Sequence, residues 1–135
     1  MSEMSKIHIW IGTTGQTEEE FKRYFEIDYS TGGDFDDPLY KTCQFCLDIG
    51  EKWYDEDFLG IMPIYEEPVD VKELLDLTPI GAPFSYQEAY QKSIEAGIFQ
   101  ANAIFYYANC NLILTEIKPD YNGLKYLGFY YSCLI

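Results

Sequence analysis

Apolar and polar positions follow a period of two at both ends of the chain and a helical period between them. Ile7-His8-Ile9-Trp10-Ile11 is a run of β-formers stopped by Gly12, which predicts a first and central strand. The turn Gly12-Thr13-Thr14-Gly15 leads to Thr17, and Glu20 three residues on completes a capping box. A helix is therefore expected over 18–27, with Phe21, Tyr24 and Phe25 on one face. Residues 28–37 hold Gly32-Gly33 and the acids Asp34, Asp36 and Asp37, the composition of an exposed turn-rich loop. Asp37-Pro38 then reads as a cap followed by proline at a first helical position. Leu39, Cys43, Cys46 and Leu47 recur at helical spacing as far as Gly50, predicting a second helix over 38–49.

The middle of the chain is organised around Trp53-Tyr54-Asp55-Glu56-Asp57-Phe58-Leu59. Two large aromatics, Trp53 and Phe58, frame three carboxylates, so the segment is expected to anchor in the core at both ends and present the acids outward. Residues 58–65 read as a strand that Pro63 demotes to an edge or a bulge. Asp70 with Glu73 caps a short helix through 75, Pro79, Gly81 and Pro83 break the chain, and Ser85 with Glu88 opens a helix over 86–96 that Gly97 closes. Three apolar and aromatic runs follow, 101–107, 112–117 and 124–131, separated by turn chemistry and expected to form an antiparallel meander. The fold class is α+β: roughly five strands in a mostly antiparallel sheet with helices packed on one face, as a single domain over 1–135.

Composition narrows the function more than the fold. The chain has 13 Tyr and 9 Phe in 135 residues, enough for a full core with aromatic side chains left for a surface. Nine basic residues against 23 acidic ones give a net charge of −14, and the sole arginine is Arg23. Nucleic acid and anionic membrane are excluded as expected ligands, because both are held by clustered Lys and Arg. A basic protein partner is the natural complement, plain solubility being the other reason for acidity. No basic cluster leads into an apolar run at the N-terminus and no stretch reaches membrane-spanning length, so a soluble cytoplasmic protein is expected.

No complete nucleophile, metal or nucleotide motif is present. Cys43-x-x-Cys46 lies within the predicted second helix, whereas a reactive pair needs its first sulfur at a helix N-terminus. A zinc site needs two further ligands, which Cys110, Cys133 and His8 do not supply at knuckle spacing. Buried reduced cysteines are the simpler reading. Glu18, Glu19 and Glu20 crowd the helix start after Gly12-Thr13-Thr14-Gly15 and would repel a phosphate there. His8, within an apolar strand, reads as a core histidine. The two acidic clusters lack the ligand spacing of a calcium loop, leaving solvated surface, contact with a basic protein, or a hard cation.

His8-Ile9-Trp10-Ile11-Gly12, the acidic helix with Phe21, Tyr24 and Phe25, Asp28-Tyr29, Gly33-Asp34-Phe35 and the Trp53 to Leu59 segment together resemble the immunity protein 22 family of bacterial polymorphic toxin systems. Phe84-Ser85-Tyr86 and Asn102-Ala103-Ile104-Phe105-Tyr106-Tyr107 extend the resemblance, which covers roughly 7–107. It implies a small non-enzymatic α+β antidote, without cofactor or metal, that neutralises a cognate toxin, often a nuclease. On that reading Asp34, Asp36, Asp37, Asp55, Glu56 and Asp57 supply charge to the partner surface, and Tyr29, Phe35 and Tyr54 supply its anchors. A metal-assisted hydrolase using the acidic cluster is the alternative from another class, and an acidic scaffold a third.

Overall fold

Ile7, Ile9 and Ile11 point to one side of the first strand and His8 and Trp10 to the other, and all five are buried. A strand buried on both sides belongs in the middle of a sheet with both faces covered. The computed structural model, which describes residues 6–34, 36–81, 83–109, 112–114 and 116–131, places it there. The strands are β1 (Lys6–Gly12), β2 (Leu59–Ile61), β3 (Val69–Asp70), β4 (Gln100–Ala101), β5 (Ala103–Ala108) and β6 (Lys125–Tyr131). The main sheet runs β2-β5-β1-β6 with every pairing antiparallel, and β3 with β4 forms a separate two-stranded ladder. The helices are α1 (Glu18–Arg23), α2 (Gln44–Ile49), α3 (Val71–Leu75) and α4 (Pro83–Glu95).

The α+β class and the antiparallel sheet are as the sequence predicts. The helices, expected on one face, cover both. Phe21 of α1 and Phe45, Cys46 and Ile49 of α2 pack with Trp10 and Phe105, while Val71, Leu74 and Leu75 of α3 and Ala89 of α4 pack with Ile7, Ile9, Ile11 and Ile104. The expected meander is replaced by insertion of β1 between β5 and β6. The run 101–107 breaks at Asn102, whose amide accepts from the Thr14 N–H (2.8 Å) and donates to the Thr14 and Tyr65 carbonyls. Among the described residues of 112–117 none is a strand, and the Leu112 carbonyl is held instead by the His8 ring (3.1 Å).

Local signals fare best where a cap decides. Thr17 and Glu20 form the capping box of α1, and Asp70 caps α3 by accepting from the Lys72 N–H. The predicted helix over 38–49 is half as long. The Asp37 carboxylate accepts from the Leu39 N–H (2.8 Å) and Asp28 from the Lys41 N–H (3.0 Å), so side chains take donors that a helix would send to backbone carbonyls. The helix starts only after Cys43 and stops at Gly50, whose φ of 78° suits glycine. The last helix begins at Pro83 rather than after Ser85, and Ser85 is buried inside it rather than capping it.

Candidate functional site

Two acidic stretches on either side of α2 in the sequence meet on the surface beside the Trp10 face of the sheet. The Tyr29 hydroxyl donates to the Glu56 carboxylate, the Lys52 ammonium pairs with Asp36 (2.8 Å), and the Tyr40 hydroxyl donates to the Lys52 carbonyl (2.9 Å). The described residues of 28–41 and residues 51–58 therefore make one surface. Its base is nailed down from below by tyrosines whose rings lie in the core and whose tips reach backbone. Tyr54, only 2% exposed, donates to the Phe25 carbonyl, and the Tyr107 oxygen accepts from the Asp55 N–H (3.0 Å). Burial raises both phenols above the usual tyrosine value, Tyr54 strongly, so they stay protonated at any physiological pH.

Within that surface the carboxylates divide by what they touch. Asp34 accepts from the Asp36 N–H (3.1 Å), Asp37 from Leu39, and Asp55 from the Asp57 N–H (3.1 Å), where it caps the single 3-10 turn Glu56–Phe58. These three shape their own loops. Asp36 is held below the usual carboxylate range by Lys52, and Tyr29 is raised chiefly by its bond to Glu56. Asp57 is exposed and, among the described residues, accepts no side-chain hydrogen bond. Phe35 lies outside the described residues.

The aromatic assignments invert around position 54. Trp53 and Phe58, expected in the core, are 45% and 51% exposed, and Tyr54, expected as a contact, is interior. Tyr29 is 55% exposed. Residues 53–58 form no regular strand or long helix, so no periodicity distinguishes which ring turns inward. The phenol suits the interior better because its tip can satisfy the Phe25 carbonyl, which neither an indole nor a phenyl does in that place.

Cys43 is the N-cap of α2 rather than an interior helical residue, and its sulfur accepts from the Cys46 N–H (3.4 Å). The Cys46 sulfur lies 3.2 Å away. The Cys46 thiol and backbone N–H groups bring Cys43 down to about 7, while the same contact and burial push Cys46 up. The helix-start position that the sequence denied to Cys43 is therefore met, and it is burial within the cluster of Phe45 and Tyr54 that keeps both as core cysteines; Cys110 and Cys133 lie outside the described residues. His8 is enclosed by Trp10, Tyr126 and Phe129, and burial lowers it to about 4, so it is a neutral packing residue. Among the described residues no three His, Cys, Asp or Glu side chains are grouped to hold a metal ion. No helix among them is long and apolar enough to cross a membrane.

No curated protein and no solved structure matches the chain. A family model described as Immunity protein 22 matches residues 7–132, from the first strand through the last, and the chain belongs to that family.

Proposed function

We propose that the protein is a non-enzymatic immunity protein that binds a basic toxin, a nuclease being the class whose groove best fits its charge, through the surface formed by residues 28–41 and 51–58. Membership of an immunity-protein family supports a toxin-neutralising role. The observation that carries the choice of surface is the joining of its two acidic loops by Tyr29–Glu56 and Lys52–Asp36. Asp34, Asp36, Glu56 and Asp57 supply the outward charge, with the half-buried Asp37 and Asp55 behind them. Tyr29, Trp53 and Phe58 are the anchors, Trp53 and Phe58 taking the place that sequence assigned to Tyr54. Complementary charge sets the rate of encounter, and large desolvated rings set the rate of escape.

The test is a pull-down from lysate of the native host at low and high salt, with the partner identified by mass spectrometry and co-expressed. A one-to-one complex with a basic toxin domain, weakened by salt and protecting cells from that toxin, is the expected result. Saturable magnesium or manganese binding with no toxin partner would overturn it in favour of a hydrolase.

A further inference from the structure

The outer side of β2 is an open sheet edge beside a groove with an apolar floor. Among the described residues β2 pairs with β5 on one side only, and the Met62 N–H donates to the Ile104 carbonyl (3.3 Å). Antiparallel alternation then turns Gly60 toward β5 and Ile61 away from it. The Leu59 N–H is taken by the Glu56 carbonyl, which leaves the Leu59 carbonyl and both backbone groups of Ile61 facing outward. The side chains of Leu59 and Ile61 are half-buried and form the floor of a groove of about 580 Å³ against α1. It continues past Met62 and Ile64 toward Thr14, since the successive hollows share Lys22 and Ile61, then Glu18 and Ile64.

The groove's walls are charged. Among the described residues Glu18, Glu19, Glu26, Glu56 and Glu66 line it, against Lys22 and Arg23. Glu56 also belongs to the acidic surface through Tyr29, so the groove runs out of that surface without a gap. An open edge with an acidic, apolar-floored trough fits one kind of occupant, an extended segment with basic and apolar side chains in alternation. A second copy of this chain is a poor fit, because each copy carries a net charge of −14.

We propose that an extended, lysine- or arginine-bearing segment of the toxin adds as a strand to the outer edge of β2, its basic side chains meeting the glutamates of the groove. This rests on the toxin-neutralising reading and deepens it: the 28–41 and 51–58 surface is one half of the interface and the β2 edge is the other. The added strand is short, about 10 Å for three residues, because Pro63 offers no N–H beyond Met62.

The test uses the full-length 15N-labelled chain and the toxin captured above, with amide exchange of Ile61 as the readout. In the free chain this N–H points away from β5 and is expected to exchange fast. In the complex it is expected to slow at least about 100-fold, as a ladder amide does. Glu26→Lys/Glu66→Lys is expected to weaken the complex at least about 10-fold more than Glu88→Lys/Glu95→Lys on α4, all four being exposed positions. Binding of the toxin with unchanged exchange at Ile61 overturns the added strand and leaves the acidic surface standing. Protection in the free chain that rises with its own concentration assigns the edge to a second copy and also overturns it. Failure to capture any toxin overturns the proposed function itself and this inference with it.

Discussion

The two faces of the sheet are built from different chemistry. One is aliphatic at its centre: Ile7, Ile9, Ile11 and Ile104 against Val71, Leu74 and Leu75, with Tyr130 buried in the same cluster and Tyr65, Tyr86, Tyr90 and Tyr106 packed around it. The other is aromatic: Trp10 stacks on Phe105 at 4.7 Å between ring centres, and Phe45 meets Trp10, Phe25, Tyr54 and Phe105 mostly edge to face. Aliphatic packing is well filled by shape alone. Aromatic packing adds direction, about 0.5–1.5 kcal/mol per well-placed ring pair, and its tyrosines carry a polar tip that reaches through to backbone. The acidic loops hang from the aromatic face by those tips. The excess of tyrosine is thus explained as much by holding irregular loops in place as by filling a core.

The comparison can be broken most severely by truncating each face. Phe45→Ala is expected to cost about 3–5 kcal/mol and to loosen the 51–58 loop, because Phe45 supports both Tyr54 and Tyr107. Leu74→Ala on the aliphatic face should cost about 2–4 kcal/mol and, in the fraction that remains folded, leave toxin affinity unchanged. Denaturant unfolding paired with titration of the captured toxin reads both. Equal loss of affinity in the two variants would remove the distinction between the faces.

The reverse separation is expected at the surface. Asp36→Asn/Glu56→Gln/Asp57→Asn should slow toxin association about 10- to 100-fold at low salt, by stopped-flow, and leave unfolding stability within about 0.5 kcal/mol. At high salt the difference between variant and wild type should shrink.

A pH scan isolates the histidine that stands on the aromatic side of β1. His8 takes up a proton near pH 6.5 when unfolded but only near 4 in the fold, so between those values the unfolded chain binds more protons. Its contribution is complete above pH 6.5 and falls as pH drops toward 4, by about 2 kcal/mol between pH 7 and pH 5. In His8→Phe that component of the slope should vanish, whatever the variant's stability at neutral pH. The smallest effect sharpens the part played by a single tip. Tyr54→Phe keeps the ring and removes the bond to the Phe25 carbonyl, at an expected cost of about 1–2 kcal/mol in urea unfolding. A neutral result would mean that the ring, not the hydroxyl, holds the loop.

Much of the chain was legible residue by residue. The central place of β1, the capping box at Thr17, the Asp70 cap and the final strand all follow from alternation and from caps, which are local in sequence. The long run 101–107 was legible as β but not its break, because Asn102 turns aside to bind Thr14 and Tyr65, partners that only the fold brings near. The same holds for 112–117, whose apolar residues favour a strand until β6 occupies the place beside β1.

By itself the sequence determined the α+β class, the acidity on which the proposal of a basic partner rests, and the family resemblance carried by its aromatic and acidic segments. Tertiary structure alone decided that helices cover both faces, that Tyr54 turns inward while Trp53 and Phe58 turn out, and that the two acidic loops become one surface. The physical reason is reach. Period and capping act over a few residues, whereas the side a ring faces in an irregular segment depends on a hydrogen-bond acceptor or a packing partner tens of residues away.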